Sequence, residues 1–241
     1  MEEILERNSM NIILASIFRN SGSYLDRYFS QLAQLRRVLT ERGHKIHFVW
    51  AEGDSEDDTF QKLAVYLNSD SKSTLVKADH GGPIFGSIDN EHRWRNISFV
   101  CNALLEHIPD DADIVVYIES DLLWVPDTIL QLIEHVQQIG IIAVAPMCFH
   151  LPTGVFYDSW GHRKDGINFS PYHPYHPALL YHHSDTLVPI DSAGSCLVMR
   201  GEVARVARFD PPELGIVGWC QSMKRIGVQL YLDPSLKVFH P

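Results

Sequence analysis

Residues 115–129 read VVYIESDLLWVPDTI. An apolar, β-branched run from Ile114 to Ile118 ends in two carboxylates one residue apart, Glu119 and Asp121, and Leu122, Leu123 and Trp124 follow at once. A short continuous apolar run of this kind is the pattern of a strand buried on both faces. The two acids then fall where the strand leaves its sheet, the edge at which open α/β sheets bind ligands. Two carboxylates held close raise one another's pKa unless a cation sits between them, and a hard divalent ion is the ordinary solution. An acidic pair that only caps the next turn has the same spacing, so the surrounding sequence must decide.

Working outward, NIILASIF (11–18) reads as a buried first strand and SYLDRYFSQLAQLRRVLTERG (23–43) as an amphipathic helix stopped by Gly43. KIHFVWAE (45–52) is a second strand that runs into the acidic loop GDSEDDT, and DTFQKLAVYLNS (58–69) returns as a helix. STLVKAD (73–79) is a short strand before the glycine-bearing loop HGGPIFGS, which lacks the Lys-Ser/Thr of a phosphate-binding P-loop. EHRWRNISFVCNALLEHI (91–108) predicts a helix beneath the acidic strand, PDTILQLIEHVQQIG (126–140) another, and IIAVAPM (141–147) a strand. This alternation predicts an α/β chain with a central, mostly parallel sheet flanked by helices. Residues 148–188, rich in Pro, Tyr, His and Gly, break the pattern as a long irregular loop of the kind that is often functional. Regular elements resume with SAGSCLVMRGEVARVA, a helix near IVGWCQSMKRIG, and a last strand in VQLYLDPSLKVFHP.

The 241 residues, 45% hydrophobic, allow one large domain, and the formal charge of -10 disfavours nucleic acid held by a basic field. No segment is long and apolar enough to span a membrane. The four cysteines are widely spaced with no C-x-x-C pair, and read as buried thiols of a reducing, cytoplasmic setting.

With these motifs in order, the chain resembles GT-A-fold glycosyltransferases, the family-2-like enzymes and fungal mannosyltransferases, those of the capsule among them. IILASIFRNSGSYLDRYFSQL resembles their opening, WAEGDSEDDT their nucleotide-binding loop, RWRNISFVCNALL the helix before the acidic triplet, ESD the D-x-D triplet, and DPSLKVFHP the strand whose closing His binds metal. The resemblance covers nearly the whole chain. It implies one GT-A (Rossmann-like) domain, 1–241, with a nucleotide-sugar-binding half at 10–147 and an acceptor-binding half at 148–241.

The resemblance also implies roles. Ile17, Arg19 and Asn20 would meet the base and ribose, Glu52 and Asp54 would accept hydrogen bonds from them, and Arg95 would approach the diphosphate or support the triplet strand. Glu119 and Ser120 join the donor site, Asp121 and His240 hold Mn²⁺ or Mg²⁺, and Gly194 lets the backbone approach the sugar. The implied donor is a nucleoside diphosphate sugar, GDP-mannose or a UDP-sugar, and the acceptor a carbohydrate or other hydroxyl.

One departure stands out. Many inverting members carry a Glu-Asp pair before a late helix, and its carboxylate is the general base; here Val217 and Gly218 occupy that place. Asp191 and Glu213, with Asp210, are the replacement candidates, unless the enzyme retains configuration and needs no base. The alternatives are a nucleotide-sugar-binding protein without turnover, and a metal-dependent phosphohydrolase or nucleotidylyltransferase. His173, His176, His182 and His183 offer a zinc cluster as a further alternative reading of the irregular loop.

Overall fold

A computed structural model describes residues 9–86, 88–180 and 186–241. His182 and His183 lie outside the described residues.

The predicted alternation is realised as β1 (Asn11–Phe18), α1 (Leu25–Glu41), β2 (Lys45–Glu52), α2 (Thr59–Leu67), β3 (Thr74–Lys77), α3 (Glu91–Leu105), β4 (Ile114–Ile118), α4 (Pro126–Gln137) and β5 (Ala143–His150). The later part adds a small hairpin of β6 (Arg163–Lys164) and β7 (Ile167–Asn168). It continues with β8 (Val188–Ile190), β9 (Cys196–Arg200), α5 (Gly201–Val206), α6 (Ile216–Arg225) and β10 (Leu230–His240). Helix formation follows the apolar spacing: α1 buries Leu25, Tyr28, Leu32, Leu35 and Leu39, three or four residues apart. Gly43, after its last turn, takes a φ of 83°, which favours a residue without Cβ.

Eight strands form one sheet in the order β3-β2-β1-β4-β9-β5-β10-β8. β1 pairs in parallel with β2 and β4, β2 with β3, and β5 with β10. β9 runs antiparallel between β4 and β5, and β8 runs antiparallel to β10. The carboxyl ends of β1, β2, β4, β5 and β10 therefore share one edge with the amino end of β9. β4 is buried at all five positions, as its apolar run requires.

Each face of the sheet carries its own core. Side chains such as Val115, Tyr117, Leu197 and Trp219 fill one face, and Val116, Ile118, Leu122, Trp50 and Leu32 the other. The irregular region is packed onto the first face: Phe156 and Phe169 are buried there, and Phe156 meets Phe149, His162 and Tyr175 ring to ring. Its described residues are folded and have their own apolar anchors, which the lack of periodicity conceals.

Gly201 shows how tightly β9 and α5 pass the turn before β4. A Cβ at this position would lie 2.0 Å from the backbone oxygen of Ala112, where no flexible side chain can give way. Gly201→Ala is expected to destabilise the domain by about 1–3 kcal/mol through overpacking, read as a lower urea midpoint at unchanged slope.

Candidate active site

The sheet edge gathers the candidate residues from strands far apart in sequence. β4 delivers Glu119 and Asp121, with Ser120 buried between them. The turn is pinned from three sides. The Glu119 N–H donates to the Ser195 carbonyl at 2.9 Å, Arg27 Nη2 donates to the Asp121 carbonyl at 2.6 Å, and Leu123 pairs with Phe239. Leu122 and Trp124 sink into the core beneath it.

Across the edge, β10 ends at His240, whose Nε2 lies 3.2 Å from Asp121 Oδ2. Tyr157 stacks on the His240 ring, centroids 4.0 Å apart and planes 14° apart, which fixes the imidazole. Burial alone would lower the His240 pKa, but the hydrogen bond and charge of Asp121 outweigh it and hold the ring above its ordinary value. Asp121 Oδ1 is buried and has no hydrogen-bond partner.

A cleft of about 350 Å³ opens beside the triplet. Its lining includes Ile17, Arg19, Asn20, Arg93, Glu119 and Asp121. Arg19 donates to the carbonyls of Gly82 and Pro83 and so ties the glycine-bearing loop to the end of β1. Asn20, in the left-handed region at φ 50°, binds the acidic loop: its Oδ1 accepts from the Glu56 N–H and its N–H donates to Ser55 Oγ.

Glu52 and Asp54 line an adjoining hollow with Arg19, Asp57 and Lys77. Their carboxylates already organise the loop backbone. Glu52 Oε1 accepts from the Ser55 N–H, and Asp54 Oδ2 accepts from the N–H groups of His80 and Gly81.

A second cleft, about 260 Å³, shares Glu119 and Arg93 with the first and is also lined by Trp94, Tyr157, Asp158, Trp160, Gly194 and Ser195, among others. Gly194 leaves the room that the Asp158 carboxylate fills, since a Cβ there would overlap it. Asp158 stands with Arg163, Lys164 and Asp165 among the charged residues interleaved with aromatics in the irregular region, a mixture that suits a carbohydrate acceptor, but no periodicity marks it as the buried one. Burial pushes its carboxyl up to about 6 against the opposing hydrogen bond of Ser195 and charge of His240, and Asp121 adds to the rise. Glu119 is pushed up further, first by burial and then by the charges of Asp121 and Asp158.

Both folded-state pKa values lie above those of the unfolded chain, so the stability associated with each group is complete below its unfolded pKa and is lost as pH rises through the folded one. Glu119→Gln, which keeps the neutral form, is therefore expected to gain thermal stability over the unsubstituted protein between about pH 4.5 and 8. Melting curves at the two ends check it, and an equal difference at both contradicts it.

Three sequence candidates are not brought to this edge. The Arg95 guanidinium is engaged on the outer face of α3 with Glu91 at 2.7 Å and Glu213 at 3.4 Å, so Glu213 is also held away. Asp191 accepts from Lys224 Nζ at 2.9 Å and from the Gly166 N–H, where β8 meets the opposite end of the sheet. Arg93, two residues before Arg95, faces both clefts instead. As for a zinc cluster, His176 Nε2 is 3.2 Å from the Lys164 carbonyl, and among the described residues no group of three ligating side chains is assembled to hold a metal.

No protein-family model matches the chain, and no curated protein matches its sequence. Solved structures do match its shape. A mannosyltransferase from Pyrobaculum calidifontis, determined in complex with GDP-Man and Mn²⁺, superposes with a TM-score of 0.60 at 13% identity, over 97% of this chain and 57% of that one. GalNAc-T7, determined with UDP, GalNAc and Mn²⁺, gives 0.59 at 14% identity over 98% of this chain and 44% of that one. Residues 1–349 of S. aureus TarS give 0.56 at 14%, over 93% and 60%. The chain thus has the GT-A fold, an α/β fold with a mostly parallel sheet, and spans about half the length of these three matched structures. Among the described residues no helix is long and apolar enough to cross a membrane.

Proposed function

We propose that this protein is a glycosyltransferase that moves a sugar from a nucleoside diphosphate sugar to a hydroxyl acceptor, with a divalent ion at Asp121 and His240. The observation that carries the reading is the Asp121–His240 contact beside a cleft at the carboxyl edge of the sheet. Asp121 leaves one buried oxygen without a partner, and an imidazole faces the other. One carboxylate and one imidazole suit Mn²⁺ or Mg²⁺ that completes its shell with diphosphate oxygens. Bound there, the ion would neutralise charge on the departing diphosphate.

The protein's own groups supply the rest. The nucleoside lies between Ile17, Arg19 and Asn20 and the acidic loop of Glu52 and Asp54. Arg93 stands on the diphosphate side, the place the sequence suggested for Arg95. Glu119 and Gly194 border the sugar. The mannosyltransferase-like opening favours GDP-mannose, and a UDP-sugar is the second candidate.

The test is donor cleavage. GDP-mannose, UDP-glucose and UDP-N-acetylglucosamine are each incubated with protein and Mn²⁺, and free nucleotide is followed. Release from one donor that stops with EDTA supports the reading, and no release from any contradicts it. Arg93→Ala is expected to weaken Mn²⁺-dependent nucleotide binding about tenfold, or about 1.4 kcal/mol, while Arg95→Ala stays within about twofold because its salt bridges are exposed. Calorimetric titration of both variants checks the contrast, and equal losses would contradict it.

A further inference from the structure

The base that the late helix lacks has a replacement elsewhere in the fold. Val217 and Gly218 are buried and carry no proton acceptor. The acids nearest them in sequence are engaged: Asp210 with Arg225 at 2.6 Å and Glu213 with Arg95 at 3.4 Å. Asp191 is held by Lys224. The second cleft is lined by three carboxylates, Asp89, Glu119 and Asp158. Asp89 is exposed and accepts from the Trp94 indole N–H at 2.7 Å. Glu119 belongs to the triplet and borders both clefts.

Asp158 differs from these. Its side chain is 12% exposed, and its Oδ2 is buried without a hydrogen-bond partner. Its carboxylate occupies the space that a Cβ on residue 194 would take, against the Gly194 backbone. The loop that carries it is fastened to α3 by rings. Trp160 stacks on Trp94 at 4.1 Å and 11°, Arg93 lies over Trp94 at 4.3 Å, and Arg163 over Trp160 at 5.7 Å. Such stacks hold the position of the loop as well as adding contact energy.

We infer that Asp158 is the general base of the transfer, taking the proton from an acceptor hydroxyl bound in the cleft between Trp160 and Glu119, and that the reaction inverts configuration. The inference rests on the glycosyltransferase reading. In the step, the acceptor oxygen forms a bond to the anomeric carbon while the bond from that carbon to the diphosphate oxygen breaks. The electron pair leaves with the diphosphate, and the acceptor proton passes to Asp158 Oδ2. A base on the face opposite the leaving group gives one displacement and hence inversion.

The groups around Asp158 fit this duty. Ser195 hydrogen-bonds it, His162 Nδ1 lies 4.0 Å away, and the charges of His240 and Asp121 act on it in opposite directions. Burial raises its affinity for a proton toward working pH, where a general base acts best.

The experiment uses the full chain, Mn²⁺ and the three donors named above, with water and sodium azide as alternative acceptors. Azide is a nucleophile that carries no proton to remove. Asp158→Asn is expected to lower hydrolysis about 10²–10⁴-fold, to keep transfer to azide within about tenfold, and to keep Mn²⁺-dependent nucleotide binding. The glycosyl azide should have inverted configuration by proton NMR. Hydrolysis that survives the substitution, or azide transfer lost as severely as hydrolysis, would overturn the assignment. A retained configuration in the product of the unsubstituted protein would overturn it even if the variant fails to fold. Absence of any Mn²⁺-dependent nucleotide binding by the unsubstituted protein would instead remove the glycosyltransferase reading, and the base with it.

Discussion

Replacing Asp121 by alanine is expected to lower the proposed sugar transfer by at least about 10³-fold while leaving the metal-free protein as stable as before or more so. The loss follows from what the carboxylate would hold. An ion that neutralises the leaving diphosphate contributes several kcal/mol to the transition state, and each 1.36 kcal/mol is about tenfold in rate. The stability follows from crowding. The Asp121 charge raises the pKa of both Glu119 and Asp158, so without it those groups ionise at less cost. A variant that is inactive yet melts no lower than the unsubstituted protein would separate function from folding at this position. A large drop in melting temperature would instead mean that Asp121 serves mainly the architecture.

The largest loss of stability is expected at Trp219. Its side chain is fully buried on α6, stacks on Phe209 at 4.8 Å and 16°, and meets Tyr117 edge-on at 5.3 Å. Tyr117 is two residues before Glu119 on β4, so this ring supports the strand that carries the triplet. Trp219→Ala should cost about 3–5 kcal/mol through the cavity it leaves, a large share of the about 5–15 kcal/mol that holds a domain together. In Trp219→Phe the loss should be smaller, because the indole N–H is buried without a partner and its removal leaves nothing unsatisfied. Urea unfolding of the two variants checks the order, and a phenylalanine variant as unstable as the alanine one contradicts it.

Much of this architecture could be read in the residues because buried strands and amphipathic helices have strong periods. β4 is apolar at every position since both its faces are covered, and α1 repeats its apolar residues every three or four. The meeting of Asp121 with His240 is a different matter. It joins residues 119 positions apart, and nothing local announces it; only the resemblance of the closing strand suggested it.

Arg95 carries a local signal that competes with the role the resemblance implies. Arg93, Ile97 and Val100, at intervals of four and three, form the helix face toward the cleft, whereas Arg95 has Glu91 four residues before it, the spacing of an exposed ion pair. Asp158 had no such signal. It lies in an aperiodic segment positioned by Phe156, Trp160 and Gly194, and its burial comes from tertiary contacts that a linear pattern does not encode.

The most direct test of the donor site is a thermal-shift panel of UDP, GDP and CDP with and without Mn²⁺, run on the unsubstituted protein and on Asp121→Ala. A ligand that binds the folded state raises the melting temperature by mass action. The site described here predicts a rise with one nucleotide that needs Mn²⁺ and disappears in Asp121→Ala. No rise with any nucleotide, or a rise indifferent to both the metal and Asp121, would contradict it.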